Sequence, residues 1–331
     1  MNKLKKIGLT ALAASLVTTS AFAGALSVSG GASIGVKNTT GTNDPSTGKS
    51  FTMGNQLTFS GGGELDNGLN VALSMIIDQG DDAATTVAQS PFDSHSMTIA
   101  SDMIGSFTFA GEGGSSAQSA VDDVITGDLW DNGLGVTGPT NSSATDNMIM
   151  YTLPSLVDGL TVKTSYVPKG SSADGSTNTG EHDSSTGYAL AYSGVEGLTL
   201  GFAAGDKATT KDSAADVTTM YATYAFGPVT VGYTTTEYDS ESTTTTADQD
   251  FTAYNIAYTV SENISVSYNV NEISRPNITT DVDVEVSGIK ASYTTGGMTI
   301  SGKMISADNN DFSTATTSDQ EMWELAASFA F

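Results

Sequence analysis

Apolar and polar residues alternate one by one along much of this 331-residue chain, the period of a β-strand whose two faces meet different surroundings. The last nine residues, Trp323-Glu324-Leu325-Ala326-Ala327-Ser328-Phe329-Ala330-Phe331, are the clearest case. Every odd position is apolar, and the even side carries Glu324, Ala326, Ser328 and Ala330. The same reading predicts sixteen strands, at 25–37, 51–65, 69–79, 94–101, 105–112, 146–154, 158–168, 186–194, 197–205, 216–226, 228–238, 250–260, 262–273, 281–294, 297–306 and 320–331. Most are near the 9 to 11 residues that a tilted strand needs to cross a bilayer, and the number is even.

The faces are legible in the best-patterned strands. One set is apolar: Leu57, Phe59 and Leu65; Leu69, Val71, Leu73, Met75 and Ile77; Tyr254, Ile256, Tyr258 and Val260; Ile264, Val266, Tyr268 and Val270. Between them stand Gln56, Thr58, Ser60, Asn70, Ser74, Asn255, Thr259, Ser265 and Ser267, which suit contact with water. The fold class that satisfies both faces is an all-β transmembrane antiparallel β-barrel, apolar toward lipid and polar toward an aqueous lumen. The strand over 281–294 breaks parity: Val282, Val284 and Val286 are even, whereas Ile289, Ala291 and Tyr293 are odd, which predicts a bulge near Ser287-Gly288.

Connections alternate between short, turn-forming ones such as Asp66-Asn67-Gly68 and Val195-Glu196-Gly197, and long polar ones. With a periplasmic amino terminus the short set is periplasmic and the long set extracellular. The third long connection, 113–145, far exceeds an ordinary loop, and structureless loops of that length are usually functional.

Residues 1–23 carry a basic start (Lys3, Lys5, Lys6), an apolar middle from Ile7 to Val17 and a small-residue site at Ala21-Phe22-Ala23. This is the pattern of a secretory signal peptide, leaving 24–331 as one domain. Elsewhere no stretch approaches the run of about 20 apolar residues that a membrane helix requires. Cysteine is absent, which fits a chain that passes through an oxidising compartment without needing a bridge.

With the signal peptide removed, 9 basic residues face 37 acidic ones, a net charge of −28. Such an excess of carboxylate rejects nucleic acid as a partner and attracts cations, at the surface and in any water-filled passage. Parity turns four lysines toward the lumen: Lys37, Lys163, Lys290 and Lys303. The third long loop holds Asp122, Asp123, Asp128 and Asp131, with Glu112 at its root, and composition predicts a short helical turn over Ser119–Ile125 carrying Asp122 and Asp123 inward.

The terminal Phe331 resembles the ending of bacterial outer-membrane β-barrels, where the insertion machinery reads it. The strand count, the long third loop and the run Asp146-Asn147-Met148-Ile149-Met150-Tyr151-Thr152-Leu153-Pro154 together resemble the general Gram-negative porins, the trimeric sixteen-stranded family. Asn147, Ile149, Tyr151 and Pro154 match that family's run after the loop. Met150 departs from it, because the family usually places an inward arginine there. The resemblance covers the whole mature chain. It implies a third loop folded into the lumen, loop acids facing wall bases across a constriction, a homotrimer in outer-membrane lipid, and passive diffusion of ions and small hydrophilic solutes. The expected constriction is then Glu112, Asp122, Asp123, Asp128 and Asp131 against Lys37, Lys163, Lys290 and Lys303, with Met150 neutral, and a weak preference for cations.

Other chemistry finds little support. Acidic clusters such as Asp248-Gln249-Asp250 and Asp308-Asn309-Asn310-Asp311 lack the twelve-residue pattern of a calcium loop, so no metal is expected. The two histidines, His95 and His182, lack nucleophile or metal spacing, so neither enzymatic activity nor a cofactor is expected. The competing reading is a secreted acidic adhesin or structural protein built as a β-solenoid or sandwich. It would need a short sequence repeat or a dry core, and neither pattern is present.

Overall fold

The computed structural model describes residues 26–41, 48–78, 93–121, 124–125, 129, 134, 136, 138, 140–143, 146–169, 184–210, 213–241, 248–278, 282–315 and 318–331. All sixteen expected strands form: Ser27–Thr40 (β1), Gly48–Glu64 (β2), Asn70–Asp78 (β3), Ser94–Ser101 (β4), Gly105–Glu112 (β5), Met148–Thr152 (β6), Leu160–Val167 (β7), Ser185–Val195 (β8), Leu198–Thr210 (β9), Ser213–Phe226 (β10), Val229–Ser240 (β11), Gln249–Ser261 (β12), Ile264–Ser274 (β13), Val284–Thr295 (β14), Met298–Asp308 (β15) and Gln320–Ala330 (β16). Each pairs with its neighbours in sequence, and β1 closes the sheet on β16. A closed barrel leaves no unpaired edge in hydrocarbon. It also rules out the solenoid and sandwich alternatives.

The closing seam runs antiparallel from Gly31 opposite Ala330 to Thr40 opposite Glu321. Past the end of β16, Phe331 donates its N–H to the Gly30 carbonyl at 2.9 Å and accepts from the Gly30 N–H at 2.8 Å. A Cβ on Gly30 would lie 2.8 Å from the Phe331 ring, so the glycine is the socket on which the terminal aromatic rests. The short turns are equally constrained. Gly105 has φ +75°, and a Cβ there would fall 2.2 Å from the Thr152 carbonyl oxygen.

Face assignment follows the alternation. Leu57, Leu73, Tyr254, Ile256, Tyr258, Ile264, Tyr268, Leu325 and Phe329 are exposed although apolar or aromatic. Phe107, Tyr192, Tyr224, Phe226, Tyr258, Tyr293 and Phe329 gather near the short-turn end, the position of an interfacial aromatic girdle. Among the described residues no helix is long and apolar enough to cross a membrane; the strands do so.

The predicted bulge near Ser287-Gly288 is absent. The register runs unbroken along β14 on both sides, from Ile273↔Val284 to Ile264↔Tyr293 and from Glu285↔Asp308 to Thr295↔Met298. Shifts occur instead at His95/Ser96, Tyr192/Val195, Ser213/Ala214 and Thr259/Ser261. Val284 and Val286 point inward and are 3% and 0% exposed. They are apolar because that part of the inner wall is covered by the third long loop, not because the strand changes face.

Candidate pore constriction

Described residues of the third long loop lie against the inner wall. Its first turn is held by Ala120 N–H to the Ser116 carbonyl at 3.0 Å and Val121 N–H to the Gln118 carbonyl at 3.0 Å. Described turn residues run over Ala117–Val121 and Val124–Ile125, overlapping the expected turn over Ser119–Ile125, whose Asp122 and Asp123 lie outside the described residues. The Ala117 N–H donates to Ser165 Oγ on β7 at 2.9 Å, and Gln118 Nε2 donates to Thr219 Oγ1 on β10 at 2.9 Å. The other end of the Gln118 amide accepts from the Ser142 N–H at 2.8 Å, so one buried side chain ties the outgoing and returning limbs of the loop to the wall. Thr140 donates to Gln249 Oε1 on β12 at 3.1 Å, and Asn310 Nδ2 donates to the Leu134 carbonyl at 3.4 Å.

Between these polar tethers the loop is fastened by apolar contact. Ile125, Leu129, Leu134 and Val136 form one buried cluster with wall residues that include Phe251, Ile273, Val284, Val286, Ile305 and Met322. Glycines on the wall receive them: a Cβ on Gly232 would lie 3.0 Å from Ile125 Cδ1, and one on Gly288 would lie 2.7 Å from Leu129 Cδ2. Burying each of these loop side chains contributes about 1.5–3 kcal/mol. A segment whose described residues reach wall positions from β7 round to β14 can do so only from the concave side, so these residues occupy the lumen along that sector. Asn147, where the chain leaves the loop for β6, has φ +56°, a left-handed conformation that asparagine tolerates.

The sector from β1 to β5 presents hydroxyls on its inward parity, with Thr98 and Thr108 hydrogen-bonded at 2.9 Å. At its border with the loop-covered wall stands a row of charge. Lys290 of β14 is opposite Lys303 of β15, Lys303 is opposite Glu324 of β16, and Glu324 is opposite Lys37 of β1. Adjacent strands are about 4.8 Å apart, so four charged side chains stand abreast on the inner wall. Lys303 Nζ is 2.9 Å from Glu324 Oε2, and Thr52 Oγ1 of β2 donates to Glu324 Oε1 at 3.3 Å. Gly35 makes room for that reach, since a Cβ there would lie 2.5 Å from Thr52 Oγ1 and 3.2 Å from Glu324 Oε1.

Three of the four sequence-identified lysines therefore share one row. Lys163 does not join it: on β7 it faces Thr152 and Ala189, six strands from β1 around the ring. Met150 is partly buried against the cluster of Ala117, Ala189 and Ala203, so it packs under the root of the loop. Glu112 is opposite His95 across a register shift, with Oε2 3.6 Å from Nδ1, and stands on β5, away from the lysine row. Asp122, Asp123, Asp128, Asp131 and His182 lie outside the described residues. Glu324 belongs to the row although sequence reasoning placed it only on the lumen face. Its partners on β15 and β2 are distant in sequence, and registers alone reveal them.

Comparison with known proteins agrees with this geometry. The model of the Gram-negative porin family matches residues 8–286. Solved structures of similar fold include an anion-selective porin from Comamonas acidovorans, 13% identical, with TM-score 0.68 over 93% of this chain and 99% of that one. A triple mutant of the Rhodopseudomonas blastica porin is 18% identical, with TM-score 0.63 over 93% of this chain and 100% of that one. A porin refined at 1.8 Å is likewise 18% identical, with TM-score 0.64 and the same coverage. The search of curated proteins found no match. With a family match over most of its length, a closed sixteen-stranded barrel and a long loop seated inside it, the chain belongs to the Gram-negative porins, passive channels of the outer membrane.

Proposed function

We propose that this porin is a weakly cation-preferring diffusion channel for ions and small hydrophilic solutes, exported by cleavage of residues 1–23. The observation that carries the channel reading is the inversion of faces, with exposed aliphatic and aromatic residues outside and a polar, hydroxyl-bearing sector inside. Cation preference rests on charge: 37 acidic residues against 12 basic ones in the full chain, and narrow aqueous passages are selective through the charge of their lining. Four acidic residues of the third loop, Asp122, Asp123, Asp128 and Asp131, together with Glu112 at its root, supply the negative side. The lysine row is the local counterweight, and it makes the preference weak.

Reversal potentials of the purified protein in planar bilayers under a potassium chloride gradient test this reading. A modest cation-selective potential is expected, and an anion-selective one overturns it. The long loops then face outward from the cell, Phe331 serves as the signal read by the barrel-insertion machinery, and three copies associate in outer-membrane lipid. Crosslinking that yields only monomers would refute the trimer.

A further inference from the structure

Lys290 and Lys303 are directly opposed on adjacent strands, and like charges so placed destabilise a sheet; Lys37 stands two strands beyond Lys303 in the same row. The one carboxylate in the row stands between Lys303 and Lys37. It is not a loose surface acid. Lys303 holds one of its oxygens at 2.9 Å, Thr52 holds the other at 3.3 Å, and Gly35 leaves the gap through which the carboxylate lies flat on the wall. Its side chain is 17% exposed and that of Lys303 is 25% exposed, so the pair is fixed against the barrel and yet open to the lumen.

We propose that Glu324 is a selectivity-determining residue of this channel, setting the charge that passing ions meet on the β14–β1 wall. The inference rests on the channel reading above and deepens it. With Glu324 in place the row carries three positive charges and one negative, and the Lys303 ammonium is compensated where solute passes. Without it the row keeps its three lysines with a neutral side chain at position 324, and this wall becomes more attractive to anions in a channel otherwise rich in carboxylate. Thr52 and Gly35 are positioning residues for that carboxylate.

The test is the permeability ratio of chloride to potassium at low salt, where screening is least, for the wild type, Glu324→Gln and the double variant Lys303→Gln/Glu324→Gln. Removing one unit charge about 5 Å from the ion path in a watery dielectric shifts each ion about fourfold and in opposite senses, so Glu324→Gln is expected to move the ratio toward anions by about fourfold to sixteenfold, the upper figure holding where neither ion is screened. The double variant removes one charge of each sign and is expected to return close to wild type. Heat-modifiable gel migration of each variant confirms a folded barrel. An unchanged ratio in a folded, conducting Glu324→Gln overturns the proposal, as does a double variant that stays as displaced as the single one. Absence of conductance in the wild type overturns the channel reading itself, a result distinct from either.

Discussion

Leu129 Cδ2 stands 2.7 Å from the point where a Cβ of Gly288 would be. The loop and the wall are thus fitted to each other through an absent side chain, with Ile125 against Gly232 as the second such contact. A sheet of larger side chains would hold the loop away from the wall and narrow the passage further. Gly288→Leu is expected to displace Leu129 and to destabilise the loop by about 1–3 kcal/mol through overpacking. The barrel should still migrate as a heat-modifiable band, while single-channel conductance changes. Unaltered conductance would show that the loop does not depend on this notch.

Leu134 is 1% exposed within the same cluster, and its truncation leaves a void that the surrounding strands cannot close. Leu134→Ala is expected to weaken the loop–wall contact by about 2–5 kcal/mol. Limited proteolysis of the detergent-solubilised protein should then cut within 113–145 under conditions where the wild type resists. Equal resistance in both proteins argues against the seat described for this segment.

Gln118 is fully buried, and its amide serves Thr219 on one side and the Ser142 N–H on the other. Replacing it by leucine keeps the volume and leaves both partners without it. Gln118→Leu is expected to cost about 1–3 kcal/mol, chiefly for the buried Ser142 N–H left without its acceptor, since Thr219 keeps its hydrogen bond to Thr236 at 2.8 Å, read as a lower midpoint in urea unfolding followed by a tryptophan signal. A midpoint equal to that of the wild type contradicts the assigned role.

At the closing seam, the backbone bonds of Phe331 to Gly30 persist in any substitution, but the ring on the glycine does not. Phe331→Ala is expected to lower the fraction of chain recovered as folded barrel in membranes, measured by unheated gel migration. Gly30→Val should do the same by expelling the ring. Recovery at the wild-type level for both variants would separate the terminal aromatic from assembly.

Alternation by itself determined the sixteen strands, their faces and the turns between them, because a strand at the boundary of lipid and water records two solvents in its own sequence. It also turned Lys37, Lys290, Lys303 and Glu324 toward the lumen. The alternation misled at Val282, Val284 and Val286, where apolar residues on the inner face read as a bulge. Only the tertiary structure supplied the reason, the burial of Ile125, Leu129, Leu134 and Val136 of the third long loop in one cluster with Ile273, Val284 and Ile305, so that this sector of the inner wall is dry. The same holds for the charged row: parity tells which way each lysine points, but the register of β14, β15, β16 and β1 decides that they stand abreast with Glu324 among them. Inward orientation is a property of one strand, written locally. Neighbourhood across strands depends on shear and closure of the whole barrel, and no single segment carries that information.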